Sequence, residues 1–334
     1  MTILVDGAPS ISGLKFRLFQ GQSDFAPIAE VLTASETVDR LDRQVDAEDI
    51  SHAYQHMSNC DPYHDVIIAE VNGIMVGYVR GWWEDGVSPE RWYSHNGFLI
   101  PAWRRKGIGR SLLYAIERRL REVADSHPEQ LEKLFQVSVS QFKPGNSVML
   151  ERSGYQPVRY YYLMVRPTLD EIMEFLLPAG LEVRAVIPDH YPAIWKAVEE
   201  TNRDEWGHKE LTEDDYEEWL SMSSFQPDLW QIAWDTKTDQ VAGTVLTYIN
   251  HEENKQLGLK RGYTEGIGVV RVWRRRGVAR ALIGRSLLAQ KAAGMTESAL
   301  VADSDSTSNV VQLYESCGFR TTKRDTLYRK PLKA

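Results

Sequence analysis

The chain has 334 residues, of which 43% are hydrophobic and 26% charged; that is roughly two domains of an ordinary folded protein and excludes a disordered one. A formal net charge of -8 argues against sequence-independent nucleic-acid binding, which needs a broad positive field. Two cysteines, Cys60 and Cys317, exclude a disulfide framework, and no stretch approaches the roughly 18 consecutive apolar residues of a membrane span.

In chain order, Leu14-Lys15-Phe16-Arg17 opens the first half as a strand, and Asp65 to Trp82 reads as two strands around the hairpin signal Asn72-Gly73. The apolar run Gly97 to Ile100 then leads into Trp103-Arg104-Arg105-Lys106-Gly107-Ile108-Gly109-Arg110. A helical pattern follows through Leu112, Leu113, Ile116 and Leu120. The half ends on Leu150-Glu151-Arg152-Ser153-Gly154-Tyr155 and a strand-like stretch. Thr168 and Glu171 have the spacing of a capping box, so a short helix is expected through Leu177, stopped by Pro178-Ala179-Gly180.

Leu181-Glu182-Val183-Arg184 starts the order again, after which an acidic stretch, Val198 to Leu220, interleaves Trp206, Tyr216 and Trp219. Two strands around a polar turn follow from Leu229 to Tyr248. The run Ile267 to Val270 leads into Trp273-Arg274-Arg275-Arg276-Gly277-Val278-Ala279-Arg280, and Leu282, Ile283 and Leu287 mark the next helix. Tyr314-Glu315-Ser316-Cys317-Gly318-Phe319 matches the end of the first half. The chain is therefore expected to be two α/β (α+β) domains of one fold, residues 1–167 and 181–334, joined by a helical linker at 168–180. Each is expected to hold a mixed, twisted sheet flanked by helices.

A strand running into R-x-x-G-x-G or R-x-x-G-x-A and then a helix gathers free main-chain N–H groups and a positive helix end at one point. Such a point attracts phosphate. Neither the G-x-x-x-x-G-K-[ST] loop of nucleotide hydrolases nor the G-x-G-x-x-G loop of dinucleotide enzymes is present, so those classes fall away.

On these residues the chain resembles the GCN5-related N-acetyltransferases, whose acetyl-CoA loop has the form Q/R-x-x-G-x-G/A, and is similar in layout to tandem members of that family. The resemblance implies that Arg274, Arg275, Arg276, Gly277, Val278, Ala279 and Arg280 hold the CoA diphosphate and that Ile267, Gly268 and Val269 pair with pantetheine. In the first half it implies the same for Arg104, Arg105, Lys106, Gly107, Ile108, Gly109 and Arg110, with Gly97, Phe98 and Leu99. Asn309 is a further cofactor-binding candidate, although it stands closer to Tyr314 than the family pattern has it. No metal is implied.

Acetyl transfer to an amine needs a deprotonated nucleophile, a stabilised oxyanion and a proton for the departing thiolate. An alkylammonium ionises near pH ~10, so a base must assist. Glu265, just before the pairing stretch, is the candidate base, with the Val269 N–H as oxyanion donor. Tyr314 matches the family's general-acid tyrosine. In the first half the matching positions are His95 and Leu150, so that copy is expected to be catalytically degenerate and His95 to be structural. Cys317 has no partner base in sequence and is expected to be an ordinary buried thiol.

The expected reaction is direct transfer from acetyl-CoA to a primary amine of a small molecule or peptide. The acidic stretch suits a cationic acceptor, and an acyl-CoA sensor without turnover is the alternative. A cytoplasmic setting is expected because no apolar N-terminal stretch resembles a signal peptide. Nucleic-acid and membrane partners are not expected, and a monomer or homodimer is.

Overall fold

The computed structural model describes residues 2–39, 46–86, 89–203, 211–303 and 310–333. The chain divides into two compact units, Met1–Arg159 with Asp325–Ala334, and Tyr160–Arg324.

In the first unit, β1 (Thr2–Ile3) and β2 (Leu14–Leu18) precede α1 (Phe25–Asp39), α2 (Ala47–Gln55) and the single turn α3 (Pro62–Asp65). The hairpin β3 (Val66–Val71) and β4 (Ile74–Asp85) turns at Asn72-Gly73, both at positive φ as its two-residue turn demands. Next come β5 (Glu90–Leu99), α4 (Ile108–Asp125), β6 (Glu132–Ser140), α5 (Pro144–Arg152) and β7 (Gln156–Arg166). Helix α4 buries Leu112, Leu113, Ile116, Leu120 and Ala124, one stripe at helical spacing, against one face of the sheet. Helices α1 and α2 cover the other face through Ile28, Val31 and Ile50.

The second unit repeats the plan. It runs through β8 (Leu181–Val183), α6 (Tyr191–Asn202), α7 (Glu213–Ser221), β9 (Gln231–Asp235) and β10 (Val241–Tyr248). Then follow α8 (His251–Leu257), β11 (Arg261–Val269), α9 (Val278–Ala292), β12 (Glu297–Asp303), α10 (Val310–Ser316) and β13 (Arg320–Pro331). Helix α9 packs Val278, Leu282, Ile283 and Leu287 on one face, while α6 sets Ile194 and Ala197 against Trp230, Ile232 and Trp234 on the other.

Two features differ from the expectation drawn from sequence. The stretch 168–180 holds no helix. Thr168 turns its hydroxyl to the Asp170 N–H and carboxylate, while the Glu171 carbonyl accepts from Arg166 and the Asp170 carbonyl from Lys291 of α9. With those carbonyls taken by side chains, the segment lies extended and packs Ile172, Phe175 and Leu177 on the second core. A real capping box forms instead at α7, where Thr212 and Asp215 satisfy each other's main-chain N–H groups.

The second feature is an exchange of last strands. In the first unit β6 pairs with β13, from Asp325↔Ser140 to Pro331↔Leu134, and Tyr328 and Leu332 are buried in the first core. In the second, β12 pairs with β7, from Ser298↔Arg166 to Asp303↔Tyr161. The boundary therefore falls at 159/160 and 324/325 rather than across 168–180. Both last strands follow the same helix-turn signal, so the sequence pattern does not choose between the two pairings.

Losing buried side chains such as Tyr328 and Leu332 costs about 2–5 kcal/mol each, a large share of a domain's stability. In a chain ended at Arg324, β6 amides are expected to exchange hydrogen as unstructured chain while β12 stays protected. Protected β6 amides in the truncated chain would contradict this assignment.

Candidate active site

The site begins where two parallel strands part. In the second unit, β11 and β12 pair from Arg261↔Glu297 to Tyr263↔Ala299 and then separate. Beyond that point, β11 stays on β10, with Thr247↔Thr264 and Leu246↔Glu265 on one side of an irregularity and Thr244↔Gly268 and Gly243↔Val269 on the other. Between these pairs β11 spends one residue more than β10, which is a bulge. Gly266 makes it, at φ 57, with Leu246 so close that a Cβ would lie 2.6 Å from its Cγ. Only glycine fits there.

The bulge decides which way Glu265 faces. Gly262, Thr264 and Gly243 look toward α9, where Gln290, Ser286 and Leu282 lie. Glu265 shares instead the face of Leu246 and Tyr263, on the side of α6. Its carboxylate reaches into the fork and accepts from the Val301 N–H of β12 at 3.1 Å. Burial pushes its pKa up to about 7, against the opposing pull of that hydrogen bond.

Behind the strand stands a dry polar cluster. Thr247, Thr264, Ser286, Ser298 and Gln290 are each 0% exposed and bonded to one another at 2.6–3.3 Å. These bonds tie β11 to α9 and fix the strand that carries Glu265. In front, Tyr248 and Tyr263 stack at 4.9 Å with planes 10° apart, and the Tyr263 hydroxyl donates to Glu253 at 2.8 Å. Burial, and next the neighbouring Glu265 carboxylate, hold the Tyr248 phenol well above its usual range.

Past the fork, the Val270 N–H bonds to the Ala242 carbonyl. Alternate residues of an antiparallel strand point opposite ways, so the Val269 N–H faces the opening. The Val269 carbonyl accepts from Arg274 Nε at 2.9 Å, which anchors the following loop. That loop places Arg275 at φ 60 and Gly277 at φ 87, and α9 starts at Gly277 without a side-chain cap. The left-handed Arg275 is a strained conformation of the kind functional loops hold. Together these turns leave the first N–H groups of α9 open to an anion, with space at Gly277 where a Cβ would meet nothing within 4 Å. The residues present thus fit a diphosphate.

The first unit copies the loop closely. Arg104 Nε bonds to the Leu99 carbonyl at 2.9 Å, Arg105 lies at φ 64 and Gly107 at φ 92. In both loops a cation covers the preceding tryptophan, Lys106 over Trp103 at 4.4 Å and Arg276 over Trp273 at 4.9 Å. Buried Asp39 binds Arg104 at 2.6 Å. The surroundings differ at the glycine, where Pro9 closes over Gly107 while a Cβ at Gly277 would meet nothing within 4 Å. Strand β5 also has no bulge, pairing evenly from Gly77↔Leu99 to Asp85↔Arg91. His95 therefore faces α4, is buried, and meets the Tyr155 hydroxyl at 2.8 Å. Burial lowers its pKa to about 4, leaving it neutral. His95 matches Glu265 in sequence, yet Asn96, opposite Arg80, holds the place across from α1 that Glu265 holds across from α6.

Of the other sequence candidates, Ile267, Gly268 and Val269 lie between the bulge and the loop, and Thr201 of α6 leaves no room for a side chain at Gly268. Tyr314 sits on α10 in the second core, 7% exposed, its ring 6.5 Å from that of Phe319. Asn309, Asp204, Glu205, Trp206 and Glu210 lie outside the described residues. Cys317 is buried, and burial pushes its thiol up. The sequence reading passed over Gly266, Tyr248 and Val301. A glycine inside a strand pattern was the available signal for the first.

An acyl-transferase class of α/β fold is defined by these features: a parallel fork, a carboxylate in it, and an anion loop leading from one arm into a helix. The chain belongs to the acetyltransferase (GNAT) family, whose profile matches residues 28–131 and 191–319. It is 25% identical over 274 residues to a mycothiol acetyltransferase of Geodermatophilus obscurus, covering 80% of this chain and 82% of that one. Its fold is that of a GCN5-related N-acetyltransferase from Sphaerobacter thermophilus, with TM-score 0.75, 24% identity and 97% of each chain covered. A tandem GNAT protein from the clavulanic acid biosynthesis pathway superposes at TM-score 0.63 with 15% identity, over 96% of this chain and 99% of that one. The chain is thus an acetyltransferase with two GNAT regions. Among the described residues no helix is long and apolar enough to cross a membrane, and no cluster of metal-ligating side chains occurs.

The raised pKa of Glu265 makes stability depend on pH. In the unfolded chain this carboxyl ionises near 4.5, whereas in the folded chain it keeps its proton up to about 7. Between those values the folded state binds more protons, so its contribution to stability is complete below 4.5 and lost as pH rises through 7. Glu265→Gln is expected to lack this loss, gaining on wild type between pH 5 and 8 in thermal melts. Parallel melting curves across that range would contradict the assignment.

Proposed function

We propose that the second unit transfers the acetyl group of acetyl-CoA to a primary amine of a small molecule or peptide, with Glu265 as general base and Tyr314 as general acid. The observation that carries this reading is the Glu265 carboxylate in the fork, with a pKa of about 7 and one anchoring bond to Val301. A group with that pKa is half ionised near neutral pH, matched to taking a proton from an ammonium and releasing it again.

Arg274 to Arg280 would hold the CoA diphosphate, with Ile267 to Val269 alongside pantetheine. Bound acetyl-CoA supplies the activated acetyl thioester. Glu265 removes a proton from the acceptor's ammonium, directly or through a water. The Val269 N–H, facing the opening, stabilises the carbonyl oxygen as it gains charge. Tyr314 then delivers its phenolic proton to the departing sulfur. Tyr248, Tyr263 and the carboxylates of Glu253 and Glu265 present aromatic faces and negative charge to the acceptor, which suits a cationic amine. Similar chains are named mycothiol acetyltransferases, which favours a small-molecule acceptor.

The first unit shares the loop, but Pro9 covers Gly107, and Asn96 stands where the second unit has its base. Turnover is therefore assigned to the second unit.

The test is CoA release over a panel of amines. Glu265→Gln and Tyr314→Phe are each expected to lower kcat by roughly a hundredfold to ten-thousandfold with folding intact. In wild type, kcat/KM should rise with pH through about 7, as Glu265 ionises, and that limb should vanish in Glu265→Gln. Turnover unchanged in Glu265→Gln would overturn its role, and no turnover on any amine would favour a CoA sensor.

A further inference from the structure

The face of the first sheet that corresponds to the acceptor side of the second holds a cation, Arg80. On β4, Tyr78 packs in the core under α1, and Gly81 looks the other way, toward Ile116 and Leu120 of α4. Residues two apart on a strand share a face, so Arg80 and Trp82 stand with Tyr78 on the side of α1 and α2. Arg80 pairs across from Asn96 where the second unit pairs Leu246 with Glu265.

Arg80 is half-buried, and its contacts are soft. Its Nη1 lies 3.8 Å from the Met57 sulfur, and its guanidinium stands 5.0 Å over the Trp82 ring. Among the described residues no carboxylate is within ion-pair distance of it. By contrast, Arg17, Arg91, Arg104, Arg119 and Arg121 of the same unit are each paired with an aspartate or glutamate. Nor do the groups around Arg80 supply a counter-ion. Burial and then Asp65 push the Cys60 thiol up to about 12, so it stays neutral, and burial likewise holds the Tyr54 phenol protonated. Asp24 is committed to Arg17, Asp65 to Arg119 and Asp61 to His64. The Tyr54 hydroxyl, close enough to feel the charge of Arg80, is buried without a hydrogen-bond partner.

A half-buried cation with no anion and a buried phenol with no acceptor among the described residues both cost stability. One ligand group relieves both, provided it is negative, flat and rich in lone pairs. We propose that the first unit binds a carboxylate-bearing small molecule at Arg80, with the Tyr54 hydroxyl and the Asn96 amide as further donors and Trp82 as its aromatic floor. A planar carboxylate matches the guanidinium fork with two parallel bonds, and its remaining lone pairs can accept from Tyr54. The site is independent of Glu265 and of the proposed acetyl transfer.

Calorimetric titration of the full chain tests this with benzoate, neutral benzamide and inorganic phosphate. Benzoate is expected to bind saturably and benzamide not at all. Arg80→Gln should weaken benzoate by roughly tenfold to a hundredfold. Asn96→Asp, which sets a carboxylate opposite Arg80, should weaken it similarly without removing the cation, and carries the test if Arg80→Gln fails to fold by circular dichroism. Glu265→Gln should bind benzoate as wild type does, which separates this site from the catalytic one. No saturable benzoate binding, equal affinity in either first-unit variant, or phosphate bound more tightly than benzoate would overturn the proposal.

Discussion

The chemistry proposed for the second unit depends on β11 being held away from β12 while it is still held to β10. Parallel pairing ends at Tyr263↔Ala299, and the bulge at Gly266 then turns one residue across the sheet. A register change of one residue reverses every side chain on a strand. Here it moves Glu265 off the α9 face, where Thr264, Ser286 and Gln290 form a buried polar cluster, and into the opening. The same divergence frees the Val269 N–H and leads the chain into the Arg274 loop.

The two units show how much chemistry can change over an unchanged backbone device. Both loops use an arginine anchored to the last strand carbonyl, a left-handed arginine and a left-handed glycine. In the strands that lead to them, one difference is a single extra residue. Without it, His95 turns inward to Tyr155 and is desolvated to a neutral imidazole, and the residue facing α1 becomes Asn96 beside Arg80. Fold conserves the scaffold, and function resides in what stands on it.

Much of this was legible in the sequence because the signals are local. The paired octets mark strand, loop and helix, Asn72-Gly73 marks its hairpin, and Glu265 is a candidate only through the family resemblance that the Arg274 loop carries. The helix expected at 168–180 failed because Arg166 and Lys291, distant in sequence or committed elsewhere by packing, take the carbonyls a helix would use. His95 and Glu265 match by count from the loop yet face opposite sides of their sheets, since counting residues does not reveal a bulge. Exchange of β7 and β13 is invisible to pattern because each strand follows the same glycine-containing helix-turn signal, Gly154-Tyr155 in one half and Gly318-Phe319 in the other. Tyr248 and Tyr263, far apart in sequence, meet only through the register of β10 on β11.

The central claim is that the opened strand and the loop after it form the coenzyme's seat. Backbone amide hydrogen exchange of the free chain and of the chain saturated with CoA measures this residue by residue. The account predicts slowed exchange at Val269 and across Arg275 to Arg280. Saturation that leaves those amides unchanged, or that protects only the loop from Arg105 to Arg110, would contradict it.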